Sequence, residues 1–320
     1  MRLRAALRIP HSRVCGRLAA IGRGRNRALG TLSGNQFTSR IISAFPAKPV
    51  QSSAGKRAIF PCTSYNRRFV RILLLSDIHA NLEALEACLA AAPSFDTIVN
   101  LGDIVGYGAS PNEVTERSRE LGKIFVRGNH DKAATGLMDL DDFNPMASTA
   151  ALWTRNELTP ENLEWLRELP HGPVSLPDFP DIQLVHGSPN DEDEYVVSLG
   201  DALAPLISLT MPLTFFGHTH LQGGFFANGS SADGFRPEYR TVGQAESVAL
   251  QLKSATRYLI NPGSVGQPRD GDWRAAFALF DTDTQIVHFH RTPYNLKDAQ
   301  DRIFAAQLPP RLATRLAAGR

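Results

Sequence analysis

Asp77 and His79 stand one residue apart, a spacing that lets a carboxylate and an imidazole turn toward one ion on a tight loop. Further along the chain, Asp103 follows Gly102, Asn129 follows Gly128, His186 precedes Gly187, and His218 and His220 follow Gly217. Each pair alone is a weak signal, because a single histidine is more often a hydrogen-bonded structural residue and a Gly-Asn-His triplet can be an ordinary turn. Together they repeat one pattern, a metal-binding side chain beside a glycine that permits a tight turn or a close backbone approach. Carboxylate, imidazole and amide oxygen with no nearby cysteine favour borderline ions such as Mn, Fe, Zn, Ni or Co. A closed structural zinc site is disfavoured.

Such groups must be held by something rigid. Ile72 to Leu75 is a short apolar run ending in Ser76-Asp77, and Leu82, Leu85 and Leu89 then recur at helical spacing. The rhythm returns at 97–101 before Gly102-Asp103, and at 123–127 before Gly128-Asn129-His130-Asp131. It returns again at 182–185 before His186, at 213–216 before Gly217-His218-Thr219-His220, and at 258–260 before Asn261-Pro262-Gly263-Ser264. Six strand ends therefore carry polar clusters. In layered α/β folds, ligands gather in loops beyond the carboxyl ends of strands, so one shared site is expected. A helical, cap-like segment is expected over about 138–170, and a turn-rich loop insertion over about 228–244. A β-hairpin across Asp281-Thr282-Asp283-Thr284 is expected to complete a second sheet, with a helical end from Leu296 to Arg320.

The ordered set Asp77-x-His79, Gly102-Asp103, Gly128-Asn129-His130-Asp131, His186 and Gly217-His218-Thr219-His220 resembles the signature of the calcineurin-like metallophosphoesterase superfamily, over roughly residues 70 to 295. The resemblance implies an α/β fold, a four-layer αββα sandwich of two mixed β-sheets flanked by helices. It also implies two divalent metal ions, with Mn foremost and Fe, Ni, Zn or Co as alternatives. Asp77, His79 and His220 would hold one, Asn129, His186 and His218 the other, and Asp103 would bridge them. The implied reaction is hydrolysis of a phosphodiester or phosphomonoester by a metal-bridging hydroxide, the ions lying roughly 3.5–4 Å apart.

His130 resembles the family's non-ligand histidine and is assigned the general-acid role. The next residue is Asp131 where the family often has Glu, so a hydrogen bond orienting His130 would come from a shorter arm. Protein phosphatases of the superfamily carry Asp-Arg-Gly after the Gly-Asp motif. Here Gly102-Asp103 is followed by Ile104-Val105-Gly106-Tyr107, which points to the compact bacterial and archaeal phosphodiesterase-like branch. Within 261–269, Arg269 is a candidate phosphate contact or a solvated residue, and Tyr107 either stacks on a base or packs. The expected substrate is a small phosphate ester such as a nucleotide. The alternative is a non-catalytic scaffold of the same fold, in which a complete ligand set would have no chemical purpose.

Charge narrows the partners. Of the 34 Lys and Arg, 15 occur by Arg71, ahead of the first acidic residue, Asp77, which leaves the rest with 32 acids against 19 bases. An acidic body is a poor match for nucleic-acid backbones, which bind clustered Lys and Arg. No apolar run reaches the roughly 20 residues that span a bilayer, so no membrane association is expected. Cys15, Cys62 and Cys88 form no disulfide framework or metal knuckle. Residues 1–68 are expected to be a basic, disordered extension, from either a mis-assigned start upstream of Val70 or an organellar targeting peptide, ahead of a metallophosphoesterase domain at 69–320. Otherwise a cytoplasmic location is expected. Asp191 to Glu194 reads as a solvated acidic loop, and His171, His288 and His290 fall outside the ligand pattern, the last two through cross-strand packing.

Overall fold

The computed structural model describes residues 70–320 apart from 142, 177, 210 and 230; the expectations for residues 1–68 lie outside the described residues. The described chain runs β1 (Arg71–Leu75), α1 (Leu82–Ala91), β2 (Thr97–Asn100), α2 (Pro111–Leu121), β3 (Ile124–Phe125), α3 (Asn129–Thr135), α4 (Pro145–Glu157), α5 (Pro160–Arg167), β4 (Val174–Leu176) and β5 (Phe179–Leu184). It continues through α6 (Leu199–Ser208), β6 (Leu213–Phe215), β7 (Gly223–Asn228), β8 (Ser231–Phe235), β9 (Glu246–Gln251), β10 (Arg257–Asn261), β11 (Ala275–Asp281), β12 (Ile286–Thr292), α7 (Leu296–Ala305) and α8 (Pro310–Leu316).

Period-two burial sorts β1 into two faces. Leu73 and Leu75 pack with Ala84, Leu85 and Cys88 of α1 and with Ala299 and Ile303 of α7. Ile72 and Leu74 point the other way, into a core shared with Leu184, Phe215, Ile260, Phe280 and Phe289. Truncating one of these buried leucines to Ala would cost about 2–5 kcal/mol, the combined effect of lost transfer energy and a residual cavity. On the outer face of the second sheet, Ala202 and Leu206 of α6 meet Val185, Phe216 and Leu259. The result is the expected four layers, helices outside and two mixed sheets within.

The first sheet has the order β3-β2-β1-β11-β12-β9, and the second β4-β5-β6-β10-β7-β8. β1, β2 and β3 are parallel, as are β5, β6 and β10, so the six loops that carry the polar clusters leave carboxyl ends of parallel strands.

Two elements differ from expectation. The hairpin β11–β12 forms, but β11 pairs antiparallel with β1, with Leu73 opposite Leu279, so the hairpin extends the first sheet. Alternation identifies a strand without naming its neighbour. Part of the 228–244 insertion is strand β8, paired to β7 from Gly224↔Phe235 to Asn228↔Ser231. The sequence Ser-Ala-Asp-Gly-Phe has little strand propensity, and main-chain bonds to β7 hold it there. Within 138–170, Pro160 separates α4 from α5, and both pack against α3 in the outer helical layer.

Candidate metal centre

The loops after β1 and β2 are laced together by main-chain bonds: Asp77 N–H donates to Gly102 O (3.0 Å) and His79 N–H to Asp103 O (2.9 Å). From the second sheet, Val265 N–H reaches Ser76 O (3.0 Å), and the Ser264 hydroxyl donates to Asp77 O (2.8 Å). Asn261 Nδ2 in turn donates to Gly217 O (2.7 Å), which fixes the loop bearing His218 and His220. Asn261 and Ser264 are thus the working parts of the 261–269 motif. Their role is to clamp the ligand loops.

Backbone strain concentrates at this point. Asp77, His79, Asp103, His218 and His220 all have positive φ, between 51° and 66°. Left-handed backbone costs an L-residue roughly 1–2 kcal/mol, and such residues persist where surrounding structure over-determines them, commonly at functional sites. Close approach matters equally: a Cβ on Gly128 would lie 2.1 Å from Asp103 Oδ1 and 2.3 Å from Asp103 N. Only glycine allows α3 to start there.

All seven residues expected to bind metal are brought together and buried. Ligand atoms of Asp77, His79, Asp103 and His220 lie within 4.8 Å of one another, as do those of Asp103, His186 and His218. Asn129 Oδ1 is 3.3 Å from His186 Nε2. Asp103 Oδ2 belongs to both groups, 3.5 Å from His79 Nε2 and 3.5 Å from His186 Nε2.

Hydrogen bonding on the far side of each ring tests whether cations fit. His79 Nδ1 donates to Val105 O (3.1 Å) and His220 Nδ1 to Gln267 O (2.6 Å). With the proton committed to Nδ1, each ring presents an Nε2 lone pair, and the two Nε2 atoms face each other 3.0 Å apart. Burial holds both rings well below the ordinary histidine pKa, so neither carries a spare proton. Two lone pairs and the Asp77 and Asp103 carboxylates converge with no proton between the rings, an arrangement that a cation relieves.

On the other side, His186 Nδ1 donates to Leu101 O (2.7 Å) and His218 Nε2 to Asp193 O (3.1 Å), leaving His186 Nε2 and His218 Nδ1 3.2 Å apart. Burial opposes a charge on His186, yet Asp103 overrides it and lifts the ring to about 9. His218 is lowered to about 3 by burial, with the positive charge of His186 adding to the effect. The pocket thus draws one positive charge to the place where His186, His218 and Asn129 meet. The donor set fits two borderline divalent ions.

Around this centre, His130 lies 4.9 Å from the His79 ring and 4.3 Å from Tyr107, with Phe143 at 5.0 Å. Burial lowers it to about 4, so the ring is neutral at neutral pH. Asp131 does not bond to this ring. Its carboxylate accepts the N–H groups of Asp103 (2.9 Å), Val105 (3.1 Å) and Gly128 (2.9 Å), so its short arm holds main chain instead. Tyr107 is buried and packs between histidines and arginines, whereas Arg269 is half-buried and donates to Gln267 Oε1 (3.1 Å) and Tyr107 OH (3.5 Å).

The acidic run 191–194 is not a freely solvated loop. Glu192 pairs with Arg127 (2.8 Å), and the buried Lys132 bonds both Glu192 (3.0 Å) and Asp193 (2.6 Å). Burial opposes ionisation of Glu192, but hydrogen bonds from Arg127 and Lys132 prevail and hold it at about 2. This places Tyr195 with its ring 3.7 Å from that of His218, a neighbour that sequence reasoning did not single out. His290 behaves as expected from cross-strand packing, stacked on Phe277 at 4.7 Å. Among the described residues, Cys88 is a buried free thiol, and no helix is long and apolar enough to cross a membrane.

Residues 70–285 match the calcineurin-like phosphoesterase superfamily domain. An uncharacterized protein of Methanocaldococcus jannaschii is 36% identical over 251 residues, 78% of this chain and 98% of its own length. The crystal structure of a metallophosphoesterase from Sphaerobacter thermophilus is similar with a TM-score of 0.68 and 42% identity, covering 79% of this chain and all of that one (100%). A hypothetical protein of Pyrococcus horikoshii shares the fold at 21% identity and a TM-score of 0.62, over 78% of this chain and 99% of its own. From the family match, the identity to its relatives and the buried Asp and His cluster, the chain belongs to the calcineurin-like phosphoesterase superfamily.

Proposed function

We propose that the protein hydrolyses phosphodiester or phosphomonoester bonds with two divalent ions, Mn foremost and Fe, Ni, Zn or Co as alternatives. The observation that carries this reading is the pair of buried imidazole nitrogens, His79 Nε2 and His220 Nε2, facing each other at 3.0 Å beside two carboxylates. Asp77, His79 and His220 would hold one ion, Asn129, His186 and His218 the other, and Asp103 both. Bound there, two such ions lower the pKa of a shared water and neutralise charge on the phosphoryl group.

The chain's own residues do the rest. His130 is neutral at rest because it is buried. A negatively charged phosphoryl group beside it offsets that burial and favours the imidazolium, which then protonates the leaving oxygen. Arg269 offers a planar guanidinium suited to a phosphate oxygen pair. Tyr107 packs against His79 and His130 and fixes the wall on which they stand. A small phosphate ester such as a nucleotide suits an acidic body better than a nucleic-acid backbone, which needs clustered Lys and Arg.

The test is to strip the protein of metal, reload it with Mn, Ni, Zn or Mg, and assay bis-p-nitrophenyl phosphate and p-nitrophenyl phosphate, with Asp103→Ala as control. Metal-dependent cleavage abolished in Asp103→Ala is the expected result. A folded, metal-loaded protein that cleaves neither ester nor any member of a nucleotide panel would overturn the reading.

A further inference from the structure

Two guanidinium groups stand against one phenol ring beside the metal-ligand cluster. Arg269 Cζ lies 5.7 Å and Arg315 Cζ 5.8 Å from the centre of the Tyr107 ring, which is itself 4.8 Å from the His79 ring. Arg269 comes from the loop after β10, whereas Arg315 comes from α8, beyond residues 70–285 that form the family domain.

These two arginines are provided for differently from Arg274 and Arg291, which are also set into the fold. Arg274 is matched to Asp272 and Arg291 to Asp270 by direct ion pairs. Among the described residues, Arg269 has no acidic side chain in an ion pair. It bonds the neutral Gln267 and Tyr107 side chains through Nη2, and its Nε is buried with no partner. Arg315 likewise has no acidic side chain in an ion pair among the described residues; its Nε donates to an oxygen of the terminal carboxyl group of Arg320. Both are only partly exposed. Burial, with the charge of Arg269 adding to it, lowers the pKa of the Arg315 guanidinium. Two neighbouring half-buried cations, of which Arg269 has no anionic partner and Arg315 only the terminal carboxyl group through Nε, become more favourable around a further anion.

One phosphoryl group at the reacting position would engage the ligand cluster and His130. A second guanidinium, on a separate element, exceeds what that single group requires. We propose that Arg269 and Arg315 form a binding site for a second anionic group of the substrate, so that the preferred substrate is a phosphate ester bearing a further phosphoryl group. Arg315 is the specificity-determining member, since it alone comes from α8. This inference rests on the phosphoesterase reading for the identity of the ligand as a substrate, but the anion site itself does not.

The experiment is isothermal titration of the Mn-loaded protein with inorganic phosphate and inorganic pyrophosphate at fixed free Mn. Wild type is compared with Arg315→Gln and with Arg117→Gln, a remote variant of equal charge change. Expected for Arg315→Gln is a loss of pyrophosphate affinity of about tenfold or more, the effect of removing one charge-assisted hydrogen bond, with phosphate affinity and Arg117→Gln close to wild type. Equal weakening of both anions, or of neither, overturns the second-anion site. Arg315→Lys keeps the charge but lacks the fork, and serves in the same comparison if the Gln variant does not fold. Hydrolysis of bis-p-nitrophenyl phosphate is followed on the same preparations. Selective pyrophosphate binding without any ester hydrolysis would retain the anion site and remove the phosphoesterase reading. Hydrolysis without an Arg315-dependent preference would do the reverse.

Discussion

Asp131 and Asp103 are joined by a reciprocal exchange: the Asp131 carboxylate accepts the Asp103 N–H at 2.9 Å, while Asp103 Oδ1 accepts the N–H of His130, the residue before Asp131, at 2.8 Å. The loop after β2 and the start of α3 therefore hold each other, and the carboxylate shared between the two ligand groups is aimed by the helix that also carries Asn129 and His130. In Asp131→Ala, the N–H groups of Asp103, Val105 and Gly128 lose their acceptor. Each buried donor left unpaired costs about 1–3 kcal/mol, so chemical denaturation should show a loss of about 3 kcal/mol or more. A loss below about 1 kcal/mol would mean that these bonds do not hold the loops.

His130→Ala tests the role of that ring apart from metal binding. His130 is absent from both ligand groups, so metal content measured by mass spectrometry should equal that of wild type. The turnover number should fall by about 10²- to 10⁴-fold, the usual contribution of a general acid. Loss of metal together with activity would reassign His130 to supporting the centre.

Lys132 acts at one remove. It grips Asp193, whose main-chain oxygen accepts the His218 Nε2–H and so leaves Nδ1 free. In Lys132→Met the Asp193 loop loses its anchor, and affinity for one of the two ions should fall by about 10- to 100-fold, as when the outer partner of a ligating histidine is removed. Competition with a chelator should then resolve two affinities where wild type shows them closer together. Unchanged affinity for both ions would free His218 from dependence on this loop.

His290 provides a pH test away from the centre. Burial, with His288 adding to it, lowers its pKa from the ordinary 6.5 to about 4. Between those values the unfolded chain binds the proton and the folded chain does not, so the contribution of neutral His290 to stability is present above about 6.5 and declines as pH falls toward 4. His290→Phe keeps the stacking on Phe277 and removes the titration. Its melting temperature relative to wild type should rise as pH drops through this window. A difference that is constant across the window would show that His290 does not bring acid sensitivity to the fold.

The ligand set is legible in the sequence because each member sits a few residues past an apolar strand, within two residues of a glycine or another ligand. That pattern is local: strand propensity, loop and side-chain chemistry are all written within about ten residues. The same locality explains the errors. The run 191–194 reads as solvated because Lys132 and Arg127, which pair with it, are 60 and 65 residues from Glu192 in the chain. Adjacency makes Asp131 the expected partner of His130, but three N–H donors from folded loops compete for its carboxylate and win it.

What the amino-acid sequence determined by itself is therefore the inventory: which strands end in which ligands, their types, and hence the class of ion they can hold. The tertiary structure decided everything that depends on partners distant along the chain. It placed the β11–β12 hairpin beside β1 and assigned His79, His218 and His220 their tautomers through carbonyls of other loops. It also brought Tyr195 to His218 and Arg315 to Tyr107. The physical reason is that alternation and spacing record which face of a strand or helix is buried, whereas hydrogen-bond and ion-pair partners are chosen by geometry that exists only once the two sheets have packed.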